Sequence, residues 1–337
     1  MLRFIDGCNH YATADITKKW NAAPTATVNS AGGRFGGNGL RVHDVLNGGY
    51  LRKTLNAQPT WICGFGIIPT AFPSTNTPIF QLLDQGANQI ELRCYSDGTL
   101  SLTRNGAPLS GGLSTFALQI GAWYFIEVKV TIANAILAGT CQVRVNNELV
   151  IDVVAGQDTQ ETANATANSV QFAGLVPNTT FDDFYICDGT GLINIDFLGD
   201  SRIYEMLPNG AGDQTDFGVV GAVNNWAAVD EIPPDDDATY VFSQTPGQRD
   251  LYNLQDLVLT GTIKGIQTCL DARKDDCGAR TIAATIKTGG TIYDGVAVVP
   301  ATSYLMFTET REVNPFTALA WTPADLIALQ AGVKLVS

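Results

Sequence analysis

The amino-acid sequence predicts an all-β protein, in which an antiparallel β-sandwich precedes a smaller β domain with one short C-terminal helix. The composition is typical of folded, well-buried domains, with 45% hydrophobic and 16% charged residues. Short runs of alternating apolar and polar residues recur between turns, as in sandwiches and barrels. A chain of 337 residues exceeds what one core usually organises. We therefore place the sandwich at residues 1–195 and a second, sandwich- or jelly-roll-like domain at residues 196–337.

The clearest hairpin joins a strand at Gln89–Tyr95 to a strand at Thr99–Arg104 through an Asp-Gly turn. Apolar and polar residues alternate along the first strand, in the order Ile90, Glu91, Leu92, Arg93 and Cys94. Because successive strand residues point to opposite faces, one face should be buried and the other solvated. The same reasoning predicts an inward set of Ile90, Leu92, Tyr124, Ile126, Val143 and Val145. It also predicts a solvated set that includes Glu91, Arg93, Glu127 and Lys129.

Four further strands complete the first domain, at Trp123–Ile132, Cys141–Val145, Leu149–Val153 and Phe181–Cys187. The segments between strands are polar or rich in glycine, which favours turns and loops. Residues 21–38 are too polar and glycine-rich for a strand, so we predict a loop there. Residues 155–169 form a second polar loop, near the rim of the domain.

The second half is also rich in strands, at Tyr240–Ser243, Arg249–Leu254, Ile263–Leu270, Arg280–Lys287 and Ser303–Thr310. The polar loop 271–278 suggests that the strands on either side of it form a hairpin. Pro323–Gln330 is predicted to be a helix because Thr322 suits the N-cap and proline suits the first helical position. A last strand follows at Val333–Val336. Residues 210–237 are predicted to be a long irregular connection.

The charge distribution excludes several classes of partner. The net charge is −13, and residues 196–337 contribute 19 acidic and 9 basic side chains to it. A field of this sign repels phosphate backbones, so we expect no nucleic-acid binding. No apolar run reaches about 18 residues, so we expect no membrane span. The N-terminus has no apolar core of the kind found in secretory signals.

Seven cysteines are present, with no C-x-x-C pair and no Cys/His cluster, which argues against a zinc site. Two interpretations remain open: they are buried free thiols, or some of them form disulfides. Cys63, Cys94 and Cys141 lie in strand-like runs that suit buried thiols. The candidates for disulfides lie near strand ends or loops and are Cys8, Cys187, Cys269 and Cys277. Cys8 and Cys277 are the best placed of these to reach another subunit.

The segment 181–200, FDDFYICDGTGLINIDFLGD, resembles the end of a concanavalin A-like (laminin-G-like) jelly roll in virion proteins of tailed bacteriophages. The resemblance rests on DD-x-Y-I-x-D-G-T-G followed by D-F-L-G-D. Further matching runs are Phe4–Gly7 with His10-Tyr11, Lys19-Trp20, Gly32–Gly36, Trp123–Glu127, Arg273–Asp276 and Gly332–Leu335. Within the same segment, Ile193–Leu198 is predicted to be a strand that opens the second domain.

The resemblance implies a structural protein located in the virion, on the outside of the particle. As a collar or neck, head-decoration or tail element, it would attach to other virion proteins as a symmetric homo-oligomer. The alternative that it leaves open is a lectin-like tail fibre or receptor-binding protein for a host surface glycan. A glycan hydrolase is a more distant alternative.

Concanavalin A-like folds include both lectins and glucanases, so the fold does not decide the chemistry. The laminarinase-like enzymes carry their carboxylates at two-residue spacing, as E-x-D-x-E, and no such run is present. Asp182 and Asp183 are adjacent and should lie on opposite faces of a strand. His10 and His43 are the only histidines and do not suggest a catalytic group. We therefore predict that the chain is not an enzyme and has no catalytic residues.

Two weaker sites remain as hypotheses. Asp182, Asp183 and Asp188 close a laminin-G-like domain, and oxygen ligands at such a rim suit a structural calcium ion. No other cofactor is expected. Trp226 lies beside Asn224 and Asn225 in the predicted irregular connection, where an aromatic ring with two amides would suit contact with a glycan or a protein partner.

Overall fold

The computed structural model describes residues 1–134 and 138–337, and the chain divides into two compact units. The first unit contains Met1, Arg3–Asn9 and Trp20–Ile203. The second contains Leu2, His10–Lys19 and Tyr204–Ser337. The division therefore falls after residue 203, whereas the sequence suggested residue 195, and a short N-terminal segment belongs to the second unit.

The predicted all-β class is confirmed. In the described part of the chain, the helices are the short α1 (Ile16–Lys19) and α2 (Pro323–Ile327) with a few 3-10 turns, and strands make up the rest of the regular structure. None of these helices is long and apolar enough to cross a bilayer.

The strands of the first half alternate with short turns. They are β1 (Leu2–Asp6), β2 (Ala26–Asn29), β3 (Gly39–His43), β4 (Tyr50–Gln58), β5 (Thr60–Pro69), β6 (Thr77–Asp84), β7 (Ala87–Cys94), β8 (Thr99–Arg104), β9 (Ala107–Ala117), β10 (Tyr124–Thr131), β11 (Gly139–Val145), β12 (Glu148–Gln157), β13 (Ala167–Ala173) and β14 (Asn178–Asp188). One sheet has the order β12-β11-β10-β5-β14-β3-β2, with β1 beside β14. The other has the order β4-β13-β6-β7-β8-β9.

The core lies between these two antiparallel sheets. The Phe65 ring of β5 lies 5.0 Å from the Phe172 ring of β13 and 6.2 Å from the Phe80 ring of β6. Each pair joins the two sheets, and all three rings are fully buried. The six residues of the predicted inward set are buried as well. The prediction of a β-sandwich is therefore confirmed.

The prediction that the other face of each sheet is solvated is wrong. Glu91 in the six-stranded sheet is 2% exposed, and Glu127 in the eight-stranded sheet is fully buried. Polar neighbours surround Glu91 on the outer face of its sheet. Over Glu127, the outer face is covered by residues Asp196–Ile203, which we call the strap.

The strap includes half of the segment predicted to be a strand at Ile193–Leu198, and the six residues of that segment, all of them described, form no strand. It crosses the sheet face, and side chains bind it where strand pairing would otherwise be expected. Lys129 pairs with Asp196 at 3.0 Å, and the Arg144 guanidinium lies 4.4 Å from the centre of the Phe197 ring. The sequence misled because apolar residues that pack on a sheet face resemble strand residues in composition.

The second unit contains β15 (Pro208–Thr215), β16 (Gly218–Val220), β17 (Tyr240–Phe242), β18 (Arg249–Leu254), β19 (Ile266–Ala272), β20 (Ile282–Thr288), β21 (Thr291–Asp294), β22 (Leu305–Arg311), β23 (Val313–Asn314), β24 (Leu319–Ala320) and β25 (Gln330–Leu335). Its main sheet has the order β15-β18-β25-β20-β21, and β16-β17, β19-β22 and β23-β24 form small pairs. The buried residues Ile286, Trp321, Leu326 and Leu329 form a core cluster. Helix α2 begins at Pro323 with the predicted Thr322 cap, whose hydroxyl accepts from the Asp325 N–H.

Three local predictions are wrong. The expected hairpin around loop 271–278 does not form, because β19 pairs with β22 while β20 pairs with β25 and β21. Residues 210–237 contain most of β15 and all of β16, so they are not wholly irregular. The glycine-rich segment 21–38 contains β2. For β15 and β19, pairing with a strand distant in sequence overrides local composition, whereas β2 pairs with β3, the next strand along the chain.

Candidate functional site

Five strands of the six-stranded sheet align polar side chains in one line across its outer face. These are Arg52 of β4, Gln171 of β13, Gln81 of β6, Glu91 of β7 and Thr103 of β8, which we call the polar row. Each is in register with the next along the line. Residues in register point to the same side of a sheet, so the five side chains lie next to one another.

Hydrogen bonds run along the whole polar row. Arg52 Nε and Nη2 donate to Gln171 Oε1 at 2.9 and 2.7 Å, and Gln171 Nε2 donates to Gln81 Oε1 at 2.5 Å. Gln81 Nε2 then donates to Glu91 Oε1 at 2.8 Å. Thr103 Oγ1 donates to Glu91 Oε2 at 3.4 Å. Each amide is therefore held in one orientation, and the carboxylate is the final acceptor.

A groove of about 530 Å³ opens beside Glu91. It is lined by Ala87, Asn88, Glu91, Arg93, Asn105, Gly106, Glu161 and Thr162. Asn88 Nδ2 and Arg93 Nε donate to the Glu91 carboxylate at 2.8 and 2.6 Å. Ser101 is in register with Arg93 on this face, and its buried hydroxyl has no hydrogen-bond partner among residues 1–134 and 138–337. The groove thus presents amides, a carboxylate and a guanidinium, and its lining contains no aromatic ring.

The polar loop predicted at 155–169 forms one wall of the groove, where a buried glutamine holds it. Gln89 Nε2 donates to Thr162 Oγ1 at 2.8 Å and to the Asn164 carbonyl at 2.6 Å. Gln89 Oε1 accepts from the Glu161 N–H at 2.6 Å. Arg104 Nη1 donates to Asp158 Oδ2 at 2.7 Å. The wall is therefore positioned by the same strands that carry the polar row.

Such a groove can bind a polyhydroxylated ligand. Amides donate and accept hydrogen bonds, a carboxylate accepts them and a guanidinium donates them. The set can therefore bind sugar hydroxyls both as donors and as acceptors. Asn88, Glu91 and Arg93 lie on β7, which holds them in fixed positions before a ligand arrives. Sequence reasoning missed this site because it assigned Glu91 and Arg93 to a solvated face. The sequence does show polar residues alternating with apolar ones on several of these strands. The register of the strands was needed to show that these polar residues lie side by side.

The candidate calcium ligands do not come together. Asp182 accepts from the Arg34 and Asp183 N–H groups, both at 2.8 Å. Asp183 accepts from the Ile203 N–H at 2.8 Å, and Asp188 binds Arg3 Nη1 at 2.9 Å. Over residues 1–134 and 138–337, no group of three or more His, Cys, Asp or Glu side chains could hold a metal ion.

Asp182 and Asp183 form a buried acidic pair next to Arg34. Burial, and then the neighbouring Asp183, raise the pKa of Asp182 to about 7. Burial raises the pKa of Asp183 to about 6, although the Ile203 N–H and the Arg34 charge oppose the shift.

The prediction that this pair lies on opposite strand faces is wrong. A β-bulge between Asp182 and Tyr185 adds residues to β14, and Asp183 has a φ of 52°. Both Phe181 and Phe184 consequently enter the core, so the two acids between them share the outer side of the sheet.

The predicted contact residues Trp226, Asn224 and Asn225 do not form a converging platform. Asn225 is buried, and its Nδ2 donates to Asp250 Oδ2 at 2.6 Å and to the Phe217 carbonyl at 2.9 Å. Trp226 is half-buried in the 3-10 turn Asn225–Ala228, and Asn224 is exposed. The prediction is wrong for Asn225, because a buried carboxylate draws its amide inward.

The part of the chain that the structure describes contains no disulfide, so neither the four candidates Cys8, Cys187, Cys269 and Cys277 nor the other three cysteines are cross-linked there. Of the two interpretations, the described residues therefore give no support to a disulfide within one chain, and a disulfide between subunits stays a prediction. Cys8 and Cys187 are fully buried, so Cys8 is not placed to reach another subunit. Cys269 and Cys277 are exposed.

No protein-family model and no curated protein matches the chain. Among solved structures, it is similar to the cellulose-induced protein Cip1, with 17% identity, a TM-score of 0.41, and coverage of 55% of this chain and 95% of that one. An endo-β-1,4-glucuronan lyase from the fungus Trichoderma reesei has 10% identity, a TM-score of 0.41, and coverage of 56% and 96%. Alginate lyase Aly36B has 13% identity, a TM-score of 0.40, and coverage of 53% and 91%. At these identities the similarity concerns the all-β fold alone.

These structures correct one expectation from the sequence. The missing E-x-D-x-E run led to the prediction that the chain is not an enzyme. Two of the similar structures are lyases, so a missing glucanase motif does not exclude enzymatic activity, and the prediction that the chain is not an enzyme does not stand. The lyases' reactions do not transfer to this chain, because one fold hosts many functions.

Proposed function

We propose that this chain is a structural protein on the outside of a tailed-phage particle, where it is attached to other virion proteins. It would act there as a collar or neck, head-decoration or tail element. The supporting observation is the set of motifs shared with such virion proteins. Three of these stretches, Gly32–Gly36, Trp123–Glu127 and the segment 181–200, lie far apart in the sequence and meet in one cluster of the first unit.

The cluster fastens the strap to the sandwich. Arg34, from Gly32–Gly36, donates through Nη2 to both oxygens of Asp200 at 2.5 Å. Glu127, from Trp123–Glu127, accepts from the Tyr185 hydroxyl at 2.5 Å and from the Gly199 N–H at 2.8 Å. Tyr185 belongs to the DD-x-Y run and Gly199-Asp200 to D-F-L-G-D. The runs that resemble virion proteins therefore contribute to one structural feature, the attachment of the strap, and this supports the proposal.

Purified particles of a phage that encodes this chain provide the test. An antibody against the chain should label intact particles at one defined place, the neck, the head surface or the tail, when they are imaged by electron microscopy. A matched control uses an antibody against an internal head protein, which should label only broken particles. Absence of the chain from purified particles by mass spectrometry would contradict the proposal.

A second function is supported by the groove beside the polar row: carbohydrate binding, with a host surface glycan as the ligand. The supporting observation is the set of amide, carboxylate and guanidinium groups around Glu91 that lines the groove. Hydrogen bonding to sugar hydroxyls would dominate, because the groove lacks a ring for stacking.

Glycan arrays and calorimetry test this function. We expect Arg93→Ala to weaken binding roughly tenfold or more, since it removes a charged donor worth about 1.5–3 kcal/mol. Trp226→Ala tests the site proposed from sequence, and Arg41→Ala is a matched surface control on the other sheet. If Trp226→Ala abolishes glycan binding and Arg93→Ala leaves it intact, the groove is not the binding site. Release of sugar products, lost in Glu91→Gln while binding persists, would assign the groove to catalysis.

A further inference from the structure

The charges around the groove beside Glu91 restrict the class of glycan that it can bind. In the described part of the chain, the lining contains two carboxylates, Glu91 and Glu161, and one guanidinium, Arg93. The other lining residues are uncharged. One positive and two negative groups leave the lining with a net charge of −1, in a chain whose net charge is −13.

The positive charge of Arg93 is already paired. Its Nε donates to Glu91 Oε2 at 2.6 Å, and its Nη2 lies 2.6 Å from the same oxygen. Its Nη1 donates to the Asn76 carbonyl at 3.2 Å. The guanidinium keeps donors for sugar hydroxyls, because it has five N–H groups and these contacts use at most three. A ligand carboxylate, in contrast, would have to compete with Glu91 for the charge.

A second arginine adjoins the groove and is paired in the same way. Arg104 Nη1 donates to Asp158 Oδ2 at 2.7 Å and to the Gln160 carbonyl at 2.8 Å. Arg104 Nε lies 3.8 Å from Glu161 Oε2. Two carboxylates thus share one guanidinium in the wall, which adds no net positive charge to the groove.

Glu161 presents the less compensated of the two carboxylates in the lining. Its side chain is 31% exposed, whereas that of Glu91 is 3% exposed. Glu91 also accepts the hydrogen bonds of the polar row and of Asn88 and Arg93, as described above. The backbone of Glu161 is held in the wall, because its N–H donates to Gln89 Oε1 at 2.6 Å. A ligand in the groove would therefore meet a fixed negative charge at Glu161.

A further arginine on this face, Arg52, is too distant to offset that charge. It lies on β4, three strands from Glu91 on β7, or about 14 Å at the usual spacing between strands. Physiological salt screens exposed charges beyond about 8 Å. The guanidinium is also engaged, by Gln171 Oε1 and by the Tyr50 ring, whose centre lies 4.8 Å away.

We propose that the groove binds uncharged glycans and rejects acidic ones, with Glu161 as the residue that determines this selectivity. The inference rests on the carbohydrate-binding function proposed above and names its class of ligand. Sugar hydroxyls satisfy the amides, the carboxylates and the remaining N–H groups without a change in charge. A sugar carboxylate would lie near Glu161 while both neighbouring arginines are already paired, and like charges placed together oppose binding.

Matched pairs of oligosaccharides test the selectivity with the full chain. Each pair consists of a glucose-, galactose- or mannose-based oligosaccharide and the same oligosaccharide with its primary hydroxyls oxidised to carboxylates. In calorimetry at low ionic strength, the neutral member of a bound pair should bind roughly tenfold or more tightly than the acidic member. In about 1 M salt the Debye length falls to about 3 Å, so the difference between the two affinities should shrink.

Glu161→Gln should also reduce the difference, by strengthening the binding of the acidic member while the affinity for the neutral member changes little. Glu148→Gln is the matched control and should keep the full difference, because Glu148 is exposed in β12 on the other sheet. Equal affinities of the wild type for both members, or a folded Glu161→Gln variant that keeps the full difference, would overturn the selectivity but leave carbohydrate binding intact. If neither member of any pair binds, carbohydrate binding itself is contradicted, and the selectivity with it.

Discussion

At the scale of single residues, the acidic pair in β14 is buried in the first unit with its carboxyl groups close together. Asp182 is 5% exposed and Asp183 is 3% exposed. Backbone N–H groups satisfy part of their hydrogen-bonding capacity, and Arg34 Nη1 lies 3.8 Å from Asp183. These contacts do not fully offset the burial, so both pKa values lie above the ordinary range for aspartate. The folded protein consequently holds these protons more tightly than the unfolded chain does.

This predicts a pH dependence with a definite sign. The pKa of Asp182 is about 7 in the folded state, against about 3.9 when unfolded. Its contribution to stability is therefore full below about pH 4 and is lost as the pH rises through 7. Urea unfolding should show wild-type stability falling across that window, by at most about 1.4 kcal/mol per pH unit for this one group.

Asp182→Asn should flatten that part of the profile. Asp97→Asn is the matched control, because hydrogen bonds from Thr99 lower the pKa of this exposed carboxylate, so it does not titrate between pH 4 and 7. Parallel profiles for wild type and Asp182→Asn would contradict this assignment.

At the scale of elements, the strap shows how a segment without secondary structure can be as well fixed as a strand. Its backbone bonds to side chains of the sheet beneath it, with Glu127 and Tyr185 binding Gly199 and Leu198, and Asp183 binding Ile203. Each of these sheet side chains is a buried polar group, so it needs the hydrogen bond that the strap provides. The strap and the outer face of the eight-stranded sheet therefore stabilise one another.

Glu127→Ala should destabilise the first unit by about 1–3 kcal/mol, because it leaves the buried Tyr185 hydroxyl and the Gly199 N–H without their acceptor. Hydrogen exchange at Gly199 should become faster in the same variant. Glu148→Ala is the matched control, since Glu148 is exposed in β12 and should change stability little. If both variants retain wild-type stability and exchange, the strap is not held in this way.

At the scale of the whole molecule, the sequence predicted what depends on local pattern. Alternation of apolar and polar residues was enough to place Ile90, Leu92 and Val143 in the core. A strand that buries one face toward the core has an apolar residue at every second position, and this pattern is visible in the sequence. The polar row was out of reach, because Gln81 and Gln171 are ninety residues apart in the sequence and only strand register aligns them. The bulge at Asp183 and the pairing of β19 with β22 were missed for the same reason: both are settled by long-range packing.

We expect the protein to form symmetric oligomers, as particle proteins do when one chain repeats around a closed axis. Light scattering of the purified chain should give a mass that is a multiple of 35.9 kDa. In non-reducing electrophoresis of mature particles, any cross-link should depend on the exposed Cys277 or Cys269. Cys8→Ser is the matched control and should leave the bands unchanged, because Cys8 is buried. A strictly monomeric mass would contradict the oligomer.

The strap also determines how the chain should respond to a protease. Residues 189–195 link β14 to the strap, and Leu192 at their centre is 94% exposed. A nick there would sever the chain, yet the new N-terminal end of the second fragment would carry the strap, still bonded to Arg34 and Glu127 of the first. The two fragments should therefore co-elute under native conditions and separate only in denaturant. If the chain is expressed as two polypeptides divided at this loop, the two fragments should associate and form the same folded structure.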